Sequence, residues 1–292
     1  MSNIFLIKVI LKVIKKMVKL SAIQLCSTPD VDENLNAIAR QLAKLTQTSD
    51  NSVVEHIVVL PECCLFFGAT DKEQLLLAQK TKDKNELQLS LSQLAKQFSV
   101  TLIGGTIPIL AECGEKFTNT SCAFNANGEL ITHYDKIHLF DVKVEDSEKT
   151  YFESRYTQAG SQACIAKTSM ANIGLSVCFD VRFPLLYQKL NDLGADIITV
   201  PSAFTRVTGS AHWQTLLQAR AIENQVYIIA AGQEGVHANG RETWGHSMII
   251  SPWGEILACL DQGEGIVTSD YIPLEIERIR TSMPLIPNEI MN

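Results

Sequence analysis

The sequence predicts one α/β domain with a mixed sheet or sheets. Short apolar segments rich in β-branched residues alternate along the chain with segments whose apolar residues recur at a helical period. Hairpin signals interrupt this alternation, and no low-complexity linker divides the chain. Alternating strands and helices are typical of α/β folds, and the hairpins add antiparallel strands to the sheet.

The length and composition fit a globular enzyme-sized domain. The chain has 292 residues, of which 46% are hydrophobic and 20% are charged. The first 20 residues hold five lysines and no acid, so the rest carries 20 basic and 32 acidic side chains, a net charge of −12. A body this acidic argues against nucleic acid as the main partner, whereas an anionic substrate would need locally placed arginines.

Residues 1–17 are predicted to be a basic amphipathic extension. Five lysines fall on one helical face, as in helices that lie at a membrane interface: Lys8, Lys12, Lys15, Lys16 and Lys19. The charges interrupt the segment too often for a transmembrane span, and it lacks a small-residue cleavage site. The alternative, which we favour, is that the natural chain begins at Met17. We expect no stable membrane insertion, one domain over residues 18–285 and a tail over residues 286–292.

Five strands and two helices are predicted in the first half. The strands cover Lys19–Leu25, His56–Leu60, Val100–Ile103, Thr120–Phe124 and Leu130–Tyr134. The first helix follows Asp30, which forms a capping-box pattern with Glu33, and the second spans the leucines between residues 87 and 98. Asn125–Gly128 is a hairpin signal between the last two strands. Residues 137–161 then form a long polar connection, and such connections tend to be functional.

The second half repeats the alternation. Its predicted strands cover Ala171–Val177, Ile197–Val200, Val226–Ala230, Met248–Ser251, Ile256–Leu260 and Ile266–Tyr271. Helices are predicted over Leu185–Leu193, near Ala211–Glu223 and from Pro273 to Arg280, where proline suits the first turn.

Three predicted strands end in side chains with useful chemistry. Glu62 follows His56–Leu60, Lys136 follows Leu130–Tyr134, and Cys178 closes Ala171–Val177. A cysteine nucleophile needs a base to take its proton and a cation or dipole to stabilise charge. These three side chains would supply all of that at one sheet edge. Taken singly, each has a structural alternative: a buried packing cysteine, a helix-capping glutamate or a solvated lysine.

The eight cysteines are scattered, and only Cys63 and Cys64 are close together. Neither the cysteines nor the six histidines show the spacing of a metal site, so we expect no metal. In a chain of this length without a convincing signal peptide, free thiols in a reducing cytosol are favoured, and the predicted location is the cytoplasm.

Three motifs in the right order make the sequence recognisable. Leu60–Glu62, Tyr134–Asp141 and Cys178–Pro184 resemble the three motifs of the nitrilase (carbon–nitrogen hydrolase) superfamily. The likeness extends to three further segments, Gly209–Trp213, Arg220–Gln225 and Trp244–Met248, and covers about residues 18 to 285. It implies a four-layer α-β-β-α sandwich that often pairs with a second subunit through its helical faces. It also implies hydrolysis of a linear amide with release of ammonia, and no cofactor.

The resemblance assigns a role to each residue. Cys178 would attack the amide carbon, with Glu62 as general base and later as acid for the leaving group. Lys136 and the backbone N–H of Phe179 would hold the oxyanion. Glu153 matches the family's second glutamate and would position Lys136 and the substrate amide.

The branch within the family is indicated by the residues around these motifs. Phe179-Asp180 after the cysteine is similar to the amidase branches, because nitrilases proper usually have Trp-Glu there. Pro201–Phe204 resembles both ω-amidases and deaminated glutathione amidases, whereas Ala231–Gly235 and Gly240–Ser247 look closer to the latter. We therefore expect an anionic 2-oxo-5-amide as substrate, with deaminated glutathione preferred and a small ω-amide such as α-ketoglutaramate as the alternative.

Three residues in segments that the resemblance places near the pocket mouth are candidates for binding this substrate. They are Phe204 and two arginines, Arg206 and Arg241, which would grip a carboxylate. An exposed loop charge is the alternative for either arginine.

Two competing readings remain open at this point. A catalytically silent sandwich acting as a binding subunit is disfavoured, because it would not need all four of Glu62, Lys136, Glu153 and Cys178. An enzyme that transfers the acyl group to an amine instead of water lacks a membrane or acceptor signature. We expect the active chain to be a homodimer.

Overall fold

The computed structural model describes residues 17–47, 53–144 and 150–285. Of the proposed extension only Met17 lies within this range, where it begins the first strand, and the proposed tail lies outside it. The described residues form six helices: α1 Val31–Gln47, α2 Asp71–Thr81, α3 Glu86–Phe98, α4 Pro184–Asp192, α5 Arg206–Asn224 and α6 Pro273–Ser282.

The described strands fall into two large sheets and two short ribbons. Along the chain they are β1 Met17–Gln24, β2 Val53–Val59, β3 Thr101–Ile103, β4 Ile107–Leu110, β5 Phe117–Phe124, β6 Leu130–Asp135, β7 Asp141–Lys143, β8 Thr150–Phe152, β9 Cys164–Lys167, β10 Asn172–Leu175, β11 Ile197–Ser202, β12 Tyr227–Gly232, β13 Glu234–Val236, β14 Glu242–Trp244, β15 Ser247–Ile250, β16 Ile256–Leu260 and β17 Gly265–Tyr271.

Each large sheet has a parallel centre and antiparallel edges. The first sheet has the order β17-β1-β2-β3-β5-β4, with β6 also paired to β5, and β1, β2 and β3 run parallel. The second sheet has the order β16-β15-β12-β11-β10-β9, and β10, β11 and β12 run parallel. β7 pairs with β8, and β13 with β14. The mixed sheets predicted from the alternating pattern are therefore present.

The two sheets pack face to face, with helices outside. Along β1, Val18, Leu20 and Ala22 face the core shared with the second sheet, whereas Ile23 and Leu25 face the core under α1 and α3. This period of two is what an extended strand imposes, and burial on both faces explains why apolar residues lie on each side of the strand. On the other side, α4 and α5 bury their apolar faces against the second sheet. The molecule is a four-layer α-β-β-α sandwich, as predicted.

Several elements differ from the sequence-based boundaries. α2 and the strands β4, β7, β8, β9, β13 and β14 were not predicted; the strands are only three or four residues long, too short for a clear periodicity. α5 begins at Arg206, five residues before the predicted start. Gly209 in this added turn allows a close approach, because a Cβ there would lie 2.4 Å from the Trp244 side chain. No helix in the described ranges is long and apolar enough to cross a membrane.

Candidate active site

Three strand ends meet at one cavity of about 390 Å³. Glu62 comes three residues after β2, Lys136 directly follows β6, and Cys178 begins a 3₁₀ turn, Cys178–Arg182, after β10. All three line the cavity, and so does Glu153, which begins a second 3₁₀ turn after β8. The side chains that the sequence placed at comparable strand ends thus share one site, in a concave position typical of ligand pockets. The expectation of a single sheet edge was wrong, because β2 and β6 belong to the first sheet and β10 to the second.

A buried ion-pair network joins Lys136 to both glutamates. Its Nζ lies 2.8 Å from Glu62 Oε1 and 2.9 Å from Glu153 Oε2. The lysine side chain is only 2% exposed and that of Glu62 only 6%. A buried charge without partners would be costly, so this arrangement fixes the lysine where the two carboxylates meet.

Two further groups that sequence reasoning missed complete the network. The side-chain amide of Asn119 donates to Glu62 Oε1 at 2.9 Å and to Glu153 Oε1 at 3.3 Å. The backbone N–H of Ala203 donates to Glu62 Oε2 at 2.9 Å. Asn119 lies on β5, where asparagine is disfavoured, and that residue type was the only available signal, because the neighbouring Thr118, Thr120 and Ser121 are polar as well. A backbone donor such as Ala203 leaves no side-chain signal at all.

The charge states follow from burial and neighbours. Burial by itself would raise the pKa of Glu62, but the charge and hydrogen bond of Lys136 outweigh it, and the pKa of Glu62 is lowered. Burial would lower the pKa of Lys136, yet Glu153 and Glu62 raise it well above its usual value. Burial and the Glu62 carboxylate raise the pKa of Cys178. At neutral pH the centre therefore holds the ionised Glu62, the Lys136 ammonium and a neutral Cys178 thiol.

Cys178 sits on a sharply bent backbone. Its φ of 49° lies in the left-handed region, which a residue with a side chain adopts only when its surroundings enforce it. The Val177 N–H donates to Asp180 Oδ2 at 2.9 Å, and the Asp180 N–H donates to the Val177 carbonyl at 3.0 Å. These two bonds close a loop around the cysteine and present its thiol to the cavity.

Phe179 follows the thiol in the first turn of the 3₁₀ segment. Backbone N–H groups at the start of a helical turn have no partner within it, so they can bind an oxyanion. The Phe179 ring lies 5.0 Å from the ring of Phe140 and helps to line the cavity.

The two candidate arginines lie in different environments. Arg241 lines the cavity, donates from Nη2 to the Ala203 carbonyl at 3.0 Å, and lies 4.9 Å from the centre of the Tyr151 ring. Arg206 does not line the cavity; its Nε lies 2.8 Å from Glu242 Oε2, and its side chain is 44% exposed. Phe204, the third candidate, is buried and forms part of the cavity wall.

Other residues singled out in the sequence have structural contacts. Arg220 pairs with Glu223 at 2.6 Å, and its Nε donates to the Val181 carbonyl, which ties α5 to the turn after Cys178. Arg182 lies near His212 and over the Phe204 ring. Cys63 also lines the cavity, but burial and Glu62 raise its pKa, so it remains a thiol.

Known proteins resemble this chain in both sequence and fold. The pattern of the family described as "Carbon-nitrogen hydrolase" matches residues 19–280. The "Deaminated glutathione amidase" of Synechocystis is 39% identical, with 92% of this chain and 97% of the relative covered. The "Omega-amidase NIT3" of Saccharomyces cerevisiae is 33% identical, with 94% of each covered. The crystal structure of Saccharomyces cerevisiae Nit3, a branch 10 member of the nitrilase superfamily, is 30% identical, with a TM-score of 0.82 over 95% of this chain and 97% of that one.

Proposed function

The chain belongs to the carbon–nitrogen hydrolase family and is an amidase of the nitrilase superfamily; we propose that it hydrolyses deaminated glutathione through a thioester on Cys178. The observation that carries the proposed mechanism is the buried network in which Lys136 links Glu62 and Glu153 beside a thiol. A scaffold protein would have no use for charges buried at such cost.

The first half-reaction forms the thioester. Glu62, kept ionised by Lys136, takes the proton of the Cys178 thiol as sulfur attacks the amide carbon. The carbonyl oxygen becomes an oxyanion, which Lys136 and the Phe179 N–H stabilise. Glu62 then gives its proton to the departing nitrogen, the carbon–nitrogen bond breaks, and the amine leaves.

The second half-reaction releases the acid. Glu62 takes a proton from water as the hydroxide attacks the thioester, and the same donors hold the second oxyanion. Collapse breaks the carbon–sulfur bond, and the proton on Glu62 returns to the sulfur. Glu153 keeps Lys136 in place through both halves by its 2.9 Å contact.

The substrate proposal combines the relatives with the cavity wall. The Synechocystis and Yersinia enterocolitica relatives, 39% and 38% identical, are both named deaminated glutathione amidases. This substrate is an anion whose 2-oxo acid is amide-linked to cysteinylglycine. Among the described residues, Lys136 and Arg241 are the cations that line the cavity, so Arg241 is the proposed ligand of a substrate carboxylate.

The leaving group differs between the two candidate substrates. Deaminated glutathione releases cysteinylglycine, whereas the ω-amide α-ketoglutaramate releases ammonia. The expectation of ammonia release stated from the sequence therefore applies only to ω-amides. The yeast ω-amidase relative, which is 33% identical, supports α-ketoglutaramate as the second candidate substrate.

The test compares the two substrates through their shared product. We expect the appearance of 2-oxoglutarate to give a higher kcat/KM with deaminated glutathione than with α-ketoglutaramate. Cys178→Ala should abolish turnover of both, and a stoichiometric iodoacetamide label should map to Cys178 in the wild type. Equal rates, or a preference for α-ketoglutaramate, would favour the ω-amidase assignment. Normal turnover by Cys178→Ala would overturn the mechanism.

We also propose a homodimer that forms through the helices outside the second sheet. Leu185 on α4 is 76% exposed, Val207 and Ile222 on α5 are 44% and 46% exposed, and Trp253 is 53% exposed. A contiguous exposed patch of large apolar side chains is typical of an interaction surface. Light scattering should give twice the 32.3 kDa chain mass, and Leu185→Glu should lower it. A monomeric wild type would contradict this assembly.

A cytoplasmic location is the remaining part of the proposal. All eight cysteines are free, including the exposed Cys113 and Cys259, and free thiols are typical of a reducing compartment. Cell fractionation with an antibody to the chain tests it, and recovery in a secreted or membrane fraction would contradict it.

A further inference from the structure

Asp180 is a fully buried carboxylate that receives four hydrogen bonds. Its Oδ2 accepts from the Val177 N–H at 2.9 Å and from the Tyr134 hydroxyl at 2.7 Å. Its Oδ1 accepts from the His138 N–H at 3.1 Å and contacts His138 Nδ1 at 2.7 Å. The side chain is 0% exposed, so all of its bonding is supplied by the protein.

These four bonds join the two segments that carry the nucleophile and the ammonium. Val177 precedes Cys178, and Tyr134 and His138 lie two residues before and two residues after Lys136. The Tyr134 oxygen also accepts from the Ile137 N–H at 3.2 Å, so the residue next to Lys136 is tied to the same cluster. Segments more than 40 positions apart in the chain are thus linked by one side chain.

A carboxylate suits this position better than any uncharged side chain. It offers two acceptor oxygens and no donor, which matches four converging donors. Burial and the neighbouring Asp180 raise the pKa of Tyr134, so its hydroxyl keeps its proton and remains a donor. An asparagine would turn an N–H₂ group towards two of those donors.

We propose that Asp180 is a positioning residue that fixes the Lys136 ammonium relative to the Cys178 thiol. The inference rests on the proposed function, because it assigns to Asp180 the distance between the proposed nucleophile and the proposed oxyanion ligand. Asp180 itself does not line the cavity, so it acts through the residues that it holds. Small errors in such distances are costly, since misplacement by about 1 Å can lower a rate on the order of 10²-fold.

The test removes the Tyr134 hydroxyl, which bonds to Asp180 and accepts from the Ile137 N–H, and compares it with a second buried hydroxyl. Tyr134→Phe deletes the 2.7 Å bond to Asp180, whereas Tyr187→Phe deletes the 2.8 Å bond to Ser176 in the same core and leaves the four bonds to Asp180 in place. We expect Tyr134→Phe to lower kcat about 10-fold with KM nearly unchanged, as for loss of a hydrogen bond to a charged group. Tyr187→Phe should lower the free energy of unfolding in urea by about as much as Tyr134→Phe does. Its kcat should stay within twofold of the wild-type value.

Asp180→Asn is the stronger variant, with an expected loss in kcat on the order of 10²-fold. If Asp180→Asn does not fold, the comparison of kcat between Tyr134→Phe and Tyr187→Phe still tests the positioning role. The proposal is overturned if Tyr134→Phe and Tyr187→Phe retain equal kcat at equal stability, or if folded Asp180→Asn keeps kcat within twofold. The wild-type label separates the two proposals: a label that does not map to Cys178 refutes the mechanism, whereas a correct label with unaffected variants refutes only the positioning role.

Discussion

Two ion pairs of the same length show how differently charge is used in the centre and at the rim of this molecule. Lys136–Glu62 and Arg206–Glu242 both measure 2.8 Å. The first pair is almost completely buried, whereas the side chains of the second are 44% and 48% exposed. Exposed pairs contribute roughly 0–1 kcal/mol, but breaking a buried pair leaves an uncompensated charge and costs about 3–5 kcal/mol. Distance alone therefore does not identify the pair that matters.

The largest effect should come from breaking the buried network. Lys136→Met would leave Glu62 and Glu153 facing each other without their cation, so we expect a loss of about 3–5 kcal/mol in the free energy of unfolding. We also expect kcat to fall on the order of 10²–10³-fold through loss of the oxyanion donor. Urea unfolding and single-turnover kinetics measure the two effects.

Arg206→Met is the matched control for Lys136→Met, since it breaks an exposed pair of equal length. Its unfolding free energy should change by less than about 1 kcal/mol. Equal losses in the two variants would contradict the distinction between buried and exposed charge. Adding Glu153→Gln to Lys136→Met should recover part of the stability and none of the activity.

A smaller effect is expected when Arg241 and Arg206 are each replaced by alanine and kcat/KM is measured on deaminated glutathione. Arg241 lines the cavity and Arg206 does not, so only Arg241→Ala should lower kcat/KM on deaminated glutathione. The expected loss is about 10-fold or more, which corresponds to a charge-assisted contact of about 1.5–3 kcal/mol. A neutral amide without a carboxylate should be hydrolysed by wild type and Arg241→Ala at similar rates. A loss confined to Arg206→Ala would instead place the carboxylate outside the cavity.

The centre could be predicted from the sequence because its side chains follow strand ends. Parallel strands bring their carboxyl ends to one edge of a sheet, which marked Glu62 and Cys178 as strand-end side chains. The two strands lie in different sheets, however, and only the face-to-face packing of those sheets brings the two side chains to one cavity. The family resemblance added Glu153, which no periodicity marks. The central strands of both sheets were likewise predicted, because their apolar segments are buried on both faces.

Several contacts at the pocket mouth and within the buried network could not be predicted in the same way. Arg206 and Arg241 looked equivalent because both belong to segments assigned to the pocket mouth, and only the folded contacts separate them. Asn119 and the Ala203 N–H are brought to Glu62 by sheet register and by the exit of β11, neither of which a single sequence encodes locally. Short loop-borne elements such as β14 depend on tertiary contacts and not on pattern.

A weaker effect on the free energy of unfolding is expected from acid titration of the buried Glu62 carboxylate. The pKa of Glu62 is lower in the folded chain than its ordinary value of 4.5, so the unfolded chain binds the proton first as pH falls. The stability that Glu62 contributes is therefore present above about pH 4.5 and is lost as pH falls through its folded pKa. Urea unfolding between pH 3 and pH 7 should show a shallower acid loss in Glu62→Gln than in wild type. A steeper acid loss of stability in Glu62→Gln than in wild type would contradict a lowered pKa of Glu62 in the folded chain.

The smallest effect is expected when residues 1–16 are removed. The ladder between β1 and β17 begins with the pair Val18 and Tyr271, so a chain that starts at Met17 keeps all of this pairing. Its unfolding free energy, mass in solution and kcat/KM should match those of the full chain, with a stability difference within about 0.5 kcal/mol. A chain that starts at Leu20 behind an added methionine is the control, because it also loses Val18 and the exposed pair between Lys19 and Asp270. It should be destabilised by more than the first truncation, since Val18 is buried in the core between the sheets. If the chain starting at Met17 loses activity or its assembly, the basic extension belongs to the working protein.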